Sequence, residues 1–119
     1  MEWITVESTI ECAHRGDVGN RPSQHWVRIA EPGNRANAPL ALVANDPEGR
    51  AITGCPNSGP NIKMCAKTLR VDKGYSGWVH IGGRPIVLSH LDGLTDGTVP
   101  GTVHYNVTDP RQHFVRADR

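Results

Sequence analysis

Apolar and polar residues along this chain alternate in short runs that are separated by turn-forming residues. No window of about a dozen residues has the 3.6-residue apolar period of an amphipathic helix, whereas period-2 alternation rich in β-branched residues is typical of strands. Strands are predicted at residues 3–11, 26–29, 38–46, 50–53, 67–71, 103–107 and 113–115, and a hairpin at 75–90. The pattern therefore predicts a mostly β fold of short strands and hairpins.

Turn-forming residues mark the connections between these strands. Gly82 and Gly83 lie between two apolar runs, and a Gly-Gly pair accepts the positive φ angles of a two-residue hairpin turn. Residues 30–37 and 92–102 consist almost entirely of turn-forming types. We therefore expect a turn-rich insertion at the first range and a loop at the second.

One hairpin pattern occurs twice in the sequence. The motif W-V-x-I at residues 26–29, followed by a proline and an apolar run at 39–43, resembles the motif at 78–81 with its apolar run at 85–88. An isolated hairpin is only marginally stable in water. The duplication thus indicates pseudo-repeated units that pack against one another, with chance similarity in a Gly/Pro-rich chain as the alternative.

Length and composition limit the classes of protein to be considered. A chain of 119 residues is predicted to form one domain, residues 1–119, and its 13 Gly and 9 Pro favour tight turns. Few other aromatic residues accompany Trp26 and Trp78, which are therefore predicted to anchor the core. The formal net charge of +1 offers no basic surface that would predict binding to nucleic acid or to an anionic membrane.

The sequence has neither a secretory signal nor a common enzyme motif. Its first residues lack a basic region followed by an apolar stretch, and no apolar run reaches about 18 residues, so we expect synthesis in the cytoplasm. Walker, dinucleotide-binding and serine-hydrolase motifs are absent, and we expect a protein that is not an enzyme.

The candidate chemistry lies in three cysteines and one histidine. Cys12 and His14 are two residues apart, so on an extended strand their side chains lie on the same face. Cys55 and Cys65 border a loop rich in Gly, Pro and Asn. An odd cysteine count without an export signal favours thiols or metal ligands over disulfides. Together the four residues form a Cys3His set, which recurs in closed tetrahedral zinc sites.

Other interpretations of these residues remain open at this point. The cysteines can be small buried apolar residues, Cys55 and Cys65 can form a disulfide, and Cys12 with His14 can form a catalytic pair. The spacing also differs from that of a zinc finger. We favour metal binding, with zinc preferred by the thiolates and iron as the alternative, and His90 as a reserve ligand. The remaining histidines are predicted to be surface or packed residues: His25, His80, His104 and His113.

The order of the motifs resembles that of the small PAAR-like proteins, which cap the spike of contractile injection systems related to phage tails and type VI secretion. The similarity covers most of the chain. It comprises C-x-H-x-G at 12–16, a V-x-I hairpin, I-T-G-C-P at 52–56, a proline-containing loop to Cys65, V-H-I-G-G-R-P-I-V-L at 79–88 and V-P-G-T-V-H-Y-N-V at 99–107. The chain lacks a Pro-Ala-Ala-Arg segment and has Leu94 where many relatives have a further cysteine.

This resemblance implies a small cone-shaped, mostly β domain that sits as one copy on a trimeric spike. A metal held by Cys12, His14, Cys55 and Cys65 would stabilise the apex, and the tip would sharpen the spike for puncturing a target envelope. The implied partners are the spike trimer, effector cargo and, transiently, the punctured membrane. The implied location is a phage-tail-like particle, including particles released outside the cell. The alternative function is a zinc-binding adaptor domain that recruits an effector or another partner.

Overall fold

The computed structural model describes residues 1–30, 38–57, 59–99 and 101–118. Within these ranges the secondary structure consists of strands without helices, which confirms the predicted mostly β fold. The strands are β1 (Thr9–Cys12), β2 (Asp17–Val18), β3 (Ile52–Thr53), β4 (Thr68–Ile81), β5 (Arg84–Thr95) and β6 (His104–Asp109). The predicted insertion at 30–37 lies outside the described residues except for Ala30.

All six strands belong to one antiparallel sheet with the order β3-β2-β1-β6-β5-β4. The molecule is elongated, with extents of 50 × 27 × 21 Å. Among the described residues, no helix is long and apolar enough to cross a membrane.

The hairpin of β4 and β5 is the longest feature of the fold. Gly82 and Gly83 have φ angles of 59° and 81°, which confirms the predicted turn. The hairpin is longer than predicted, because β4 has 14 residues and β5 continues to Thr95. The predicted loop at 92–102 is therefore wrong over its first residues.

Two glycines that resemble turn residues are needed inside the sheet for close packing. A Cβ atom on Gly74 would lie 2.3 Å from the Cα atom of Leu91, and one on Gly93 would lie 2.6 Å from the ring of Tyr105. Such contacts are shorter than any real side chain tolerates, so these strands can pair closely only with glycine at both positions. Because Gly93 resembles a turn residue in the sequence, residues 92–95 were predicted as loop although they belong to β5.

Three extended segments form a closed ring of backbone hydrogen bonds. The N–H of Ile4 donates to the carbonyl of Val87 at 2.9 Å, that of Val87 to Leu42 at 3.0 Å, and that of Leu42 back to Ile4 at 2.9 Å. All three side chains are fully buried. Three further backbone hydrogen bonds link the same segments in pairs. They run from the N–H groups of Val6, Ala44 and Ser89 to the carbonyls of Leu40, Pro85 and Glu2, respectively. One chain therefore contains a pseudo-three-fold arrangement.

Each segment of the ring pairs with an outer segment of extended backbone, which we call an outer strand. Outside β4 and β5 these segments form isolated bridges rather than the regular strands predicted at 26–29, 38–46 and 113–115. Residues 26–29 and 78–81 are the two copies found in the sequence, and the Ala41 N–H donates to the Val27 carbonyl at 3.1 Å. The third outer strand comes from residues 114–117, where the Trp3 N–H donates to the Val115 carbonyl at 3.1 Å. The predicted duplication is thus a triplication whose third unit combines the first and last segments of the chain.

The structure contradicts the prediction that Trp26 and Trp78 anchor the core. Their side chains are 72% and 70% exposed. Alternate residues of a strand face opposite sides, and the inner sides of the outer strands carry valine and isoleucine. These pack into an apolar cluster with members from all three units: Met1, Trp3, Val27, Ile29, Ala41, Val43, Val79, Ile81, Ile86, Leu88, Val115 and Ala117.

Candidate metal centre

The four predicted ligands meet where the β4–β5 hairpin opens, at the end opposite its glycine turn. The Sγ atoms of Cys12, Cys55 and Cys65 and a ring nitrogen of His14 all lie within 4.8 Å of one another. The three thiols are buried and the imidazole is half-buried. Residues distant in sequence thus form a cluster that could hold a metal ion.

The donor spacing matches that of a tetrahedral site. The Sγ of Cys65 lies 3.8 Å from Nδ1 of His14. With bonds of about 2.3 Å to sulfur and about 2.1 Å to nitrogen, two ligands of a tetrahedral zinc ion lie about 3.6 Å apart. Small side-chain adjustments would therefore suffice for one ion to be bound by all four residues.

A tight turn after β1 brings Cys12 and His14 to the site. Arg15 has a positive φ of 67°, and the Cys12 N–H donates to the Gly16 carbonyl at 2.9 Å. The N–H of Gly16 in turn donates to the Sγ of Cys12 at 3.1 Å. This hydrogen bond ties the sulfur of Cys12 to the turn that carries His14.

Glycines leave the space that the sulfur atoms occupy. A Cβ atom on Gly16 would lie 2.9 Å from the Cβ of Cys55 and 3.0 Å from the Sγ of Cys12. A Cβ on Gly97 would lie 2.7 Å from the Sγ of Cys65. The turn after β1 and the segment after β5 can approach the thiols this closely only because both positions are glycine.

The end of β5 and the residue that follows it also orient Cys65. The hydroxyl of Thr95 donates to the Sγ of Cys65 at 3.2 Å. Asp96 Oδ1 accepts the N–H groups of Ala66 at 2.8 Å and Lys67 at 3.1 Å, and Lys63 Nζ lies 2.6 Å from Oδ2. Partial burial opposes ionisation of Asp96, but these donors hold its pKa at about 2. An ionised carboxylate therefore fixes the backbone beside the ligand.

The packing of the thiols shifts the pKa values of Cys65 and Cys55 in opposite directions. Burial raises the pKa of Cys65, and the nearby thiols of Cys12 and Cys55 raise it further. Burial also opposes ionisation of Cys55, but the N–H groups of Asn57 and Cys65 lower its pKa overall. Three adjacent thiolates would repel one another in this site, whereas a metal ion deprotonates its thiol ligands and neutralises their charge.

His90, the reserve ligand, lies away from this cluster. The residue is exposed on β5, and partial desolvation of its imidazole together with the charge of Lys73 lowers its pKa. Among the described residues, His14 is the histidine that joins the cysteines. The Nδ1 of His104 lies 2.8 Å from Asp92, while His25, His80 and His113 are exposed.

The residues that support the ligands are not evident from the sequence. Thr95, Asp96 and Gly97 lie in a stretch that was predicted as loop, where Thr, Asp and Gly are common for other reasons. All three cysteines are free thiols in this structure, without the alternative Cys55–Cys65 disulfide. No protein family, characterised protein or solved structure matches this chain.

Proposed function

We propose that this protein caps the trimeric spike of a contractile injection system and sharpens it for puncturing a target envelope. The observation that carries the proposal is the ring of hydrogen bonds through Ile4, Leu42 and Val87, by which one chain acquires pseudo-three-fold symmetry. A homotrimer presents three identical surfaces around its axis. A single chain with three similar units can contact all three subunits at once, giving one copy per spike.

The metal would act as a structural element of this tip, with zinc as the preferred ion and iron as the alternative. Cys12, His14, Cys55 and Cys65 supply four donors, which fill a tetrahedral shell and leave no open position for a substrate. Three thiolates and an imidazole also suit zinc by ligand softness. The site thus favours a structural role, and we propose that the protein is not an enzyme.

The location of the cluster suits an apex. It lies at the open end of a hairpin whose β5 strand has 12 residues, and a strand of this length extends about 35 Å. The loop between Cys55 and Cys65 is mostly exposed over its described residues, although the cysteines themselves belong to a buried apolar cluster with Val18, Ile52 and Val103. Metal–ligand bonds can supply the folding energy that a narrow tip lacks. We further propose assembly into a phage-tail-like particle, with effector cargo and transient membrane contact during puncturing.

Metal content and stoichiometry test this proposal together. Native mass spectrometry of the purified chain should show about one zinc ion per molecule, lost in Cys55→Ser and Cys65→Ser but retained in His90→Ala. Mixing the chain with a homotrimeric spike protein from the same gene neighbourhood should give a complex of one chain per trimer.

Two results would count against this function in different ways. A wild-type chain that contains no metal when purified from zinc-supplemented cells would exclude the metal-stabilised apex. A metal-loaded chain that binds a monomeric partner at equal stoichiometry, and does not bind the trimer, would favour the adaptor domain instead.

A further inference from the structure

Each of the three units displays an exposed aromatic side chain that is followed two residues later by an exposed basic one. The aromatic residues are Trp26, Trp78 and Phe114, with exposed fractions of 72%, 70% and 47%. The basic residues at the equivalent positions are Arg28, His80 and Arg116. We call these three pairs of residues, one pair in each unit, the aromatic–basic triad.

A shared hydrogen-bonding device places the three aromatic residues equivalently. The Oε1 of Gln24 accepts the N–H of Trp26 at 2.9 Å, and the Oε1 of Gln112 accepts that of Phe114 at 3.1 Å. In the remaining unit the hydroxyl oxygen of Ser76 accepts the N–H of Trp78 at 3.1 Å. The same three acceptors also bind the next N–H groups, those of Val27, Val115 and Val79.

The strand geometry turns each aromatic residue and its basic neighbour to the same side. Val27, Val79 and Val115 stand between the members of each pair and pack against the apolar cluster shared by the three units. Residues on either side of an inward-facing strand position face outward together. Each unit therefore presents an apolar surface with an arginine or histidine side chain beside it, repeated around the pseudo-three-fold axis.

Exposed residues of these types are the ones that most often dominate binding interfaces. Trp and Arg are strongly enriched among the residues that contribute most binding energy, and solvent-exposed large aromatic side chains otherwise raise the risk of aggregation. Two of the chain's three Trp and its only Phe occupy these outward positions, while the fully buried aromatic residue is Tyr105. This distribution favours a partner surface over a packing role.

We propose that the aromatic–basic triad is a three-point docking surface for a homotrimer whose subunits each present an apolar depression beside a carboxylate. The trimeric partner rests on the proposed spike-tip function, whereas the residues and the chemistry of the contact come from the triad itself. The equivalent basic positions, Arg28, His80 and Arg116, require an acidic group at the matching place in each subunit. Glu2 lies opposite Arg116, but its carboxylate accepts a hydrogen bond from Ser89 and lies beside His113.

The test measures binding of the metal-loaded chain to a homotrimeric spike protein from the same gene neighbourhood. Trp26→Ala, Trp78→Ala and Phe114→Ala should each weaken binding about tenfold, and the triple variant at least about a hundredfold. The double variant Arg28→Glu/Arg116→Glu should slow association and reverse the effect of added salt on the rate.

Matched control variants separate docking from folding. Leu69→Ala removes an exposed apolar side chain outside the triad, and Lys73→Glu reverses an exposed charge there; both should bind like the wild type. Metal content and thermal unfolding of every variant are measured alongside, and only variants that match the wild type in both are compared. Because the triad side chains are exposed, the aromatic substitutions should leave folding intact. Arg28→Glu also removes the hydrogen bond of 2.8 Å from the Arg28 guanidinium to the Ala38 carbonyl, and the unfolding measurement reports any resulting loss of stability.

The possible results distinguish the two proposals. Wild-type binding that survives in the triple variant, or falls equally with the control variants, would overturn the docking surface while leaving the spike-tip function standing. A wild-type chain that does not bind the trimer at all would overturn both.

Discussion

The Sγ atom of Cys65 lies 3.8 Å from Nδ1 of His14, although the two residues are 51 positions apart in sequence. His14 lies in the turn after β1. Cys65 is oriented by Thr95 at the end of β5 and by Asp96, which follows it. The Cys3His cluster thus brings together the turn after β1, the two ends of the Cys55–Cys65 loop and the end of β5. Its stability and that of the fold should be coupled.

Removal of the metal should lower the melting temperature of the protein. Structural metal sites in small domains contribute several kcal/mol, and about 1 kcal/mol shifts the melting temperature of a domain of this size by about 4–8 °C. We expect a fall of more than about 10 °C on chelation and recovery on adding zinc, measured by circular dichroism. A melting temperature unchanged by a chelator that demonstrably extracts the ion would exclude a structural role for the metal.

Substitution of Gly16 should weaken metal binding without removing a ligand. A Cβ atom at this position would collide with the side chains of Ile52, Cys55 and Cys12 at 2.8–3.0 Å. Gly16→Ala should therefore destabilise the fold by about 1–3 kcal/mol and lower zinc affinity in competition titrations. Gly19→Ala is the control, because a Cβ there would lie 3.7 Å from its nearest neighbour, an ordinary contact. Equal zinc affinity in both variants would contradict the close packing at Gly16.

Asp96 should make stability depend on pH in the acidic range. Its pKa in the folded protein is about 2, below its value in the unfolded chain, so folding favours the carboxylate. The resulting stabilisation, about 1–2 kcal/mol after allowance for the exposed Lys63, is complete above a pH of about 4 and is lost as the pH falls toward 2. Urea unfolding of wild type and Asp96→Asn should differ at pH 7 and converge near pH 2.

The metal site is itself sensitive to acid, so the quantity to compare is the difference between the two proteins at each pH. Asp109→Asn provides the control, because Asp109 and Arg111 form an exposed ion pair at 3.2 Å that should contribute little. A difference between wild type and Asp96→Asn that stays constant down to pH 2 would show that the carboxylate charge is not responsible.

The two buried glutamines should be equally important for stability. The Nε2 of Gln24 donates to the carbonyls of Val27 and Ala41, and that of Gln112 donates to the carbonyls of Trp3 and Val115. Replacing either by alanine leaves buried backbone groups without partners, so each variant should lose about 2–4 kcal/mol in denaturant unfolding. His25→Ala, beside Gln24 but exposed, should be nearly neutral. A large loss in one glutamine variant only would contradict the equivalence of the two units.

The sequence predicted those features that depend on neighbouring residues. Alternation of residue types indicated the strands, and the Gly82-Gly83 pair indicated the hairpin turn. The first predicted strand, residues 3–11, is interrupted where the Ser8 N–H bonds back to the Thr5 carbonyl, yet Ile4 and Ile10 are buried as the alternation implies. Boundaries were less predictable, because Gly74 and Gly93 resemble turn residues but serve close packing inside the sheet.

The Cys3His composition could also be found in the sequence, since metal ligands are limited to a few residue types. The residues that support these ligands could not be found from sequence spacing. They are small or polar, and they acquire their role only when folding brings the ligand atoms close to them: Gly16, Thr95, Asp96 and Gly97. The inward and outward sides of the strands were ambiguous for a similar reason. Period-2 alternation separates two faces of a strand but does not say which one meets the core, so Trp26 and Trp78 were assigned to the wrong side.

By itself, the sequence determined the β class, the hairpin turn and the set of candidate ligands, since each follows from local conformational preference or side-chain chemistry. The sequence also carries a sign of a third copy, because Q-H-F-V-R at 112–116 nearly repeats Q-H-W-V-R at 24–28, but only the tertiary structure decided which segment this copy pairs with. That copy pairs residues 1–3 with 114–117, and no local pattern relates segments so far apart. Their pairing is decided by the burial of apolar side chains from all three units in one cluster and by the closed ring of backbone hydrogen bonds beside it.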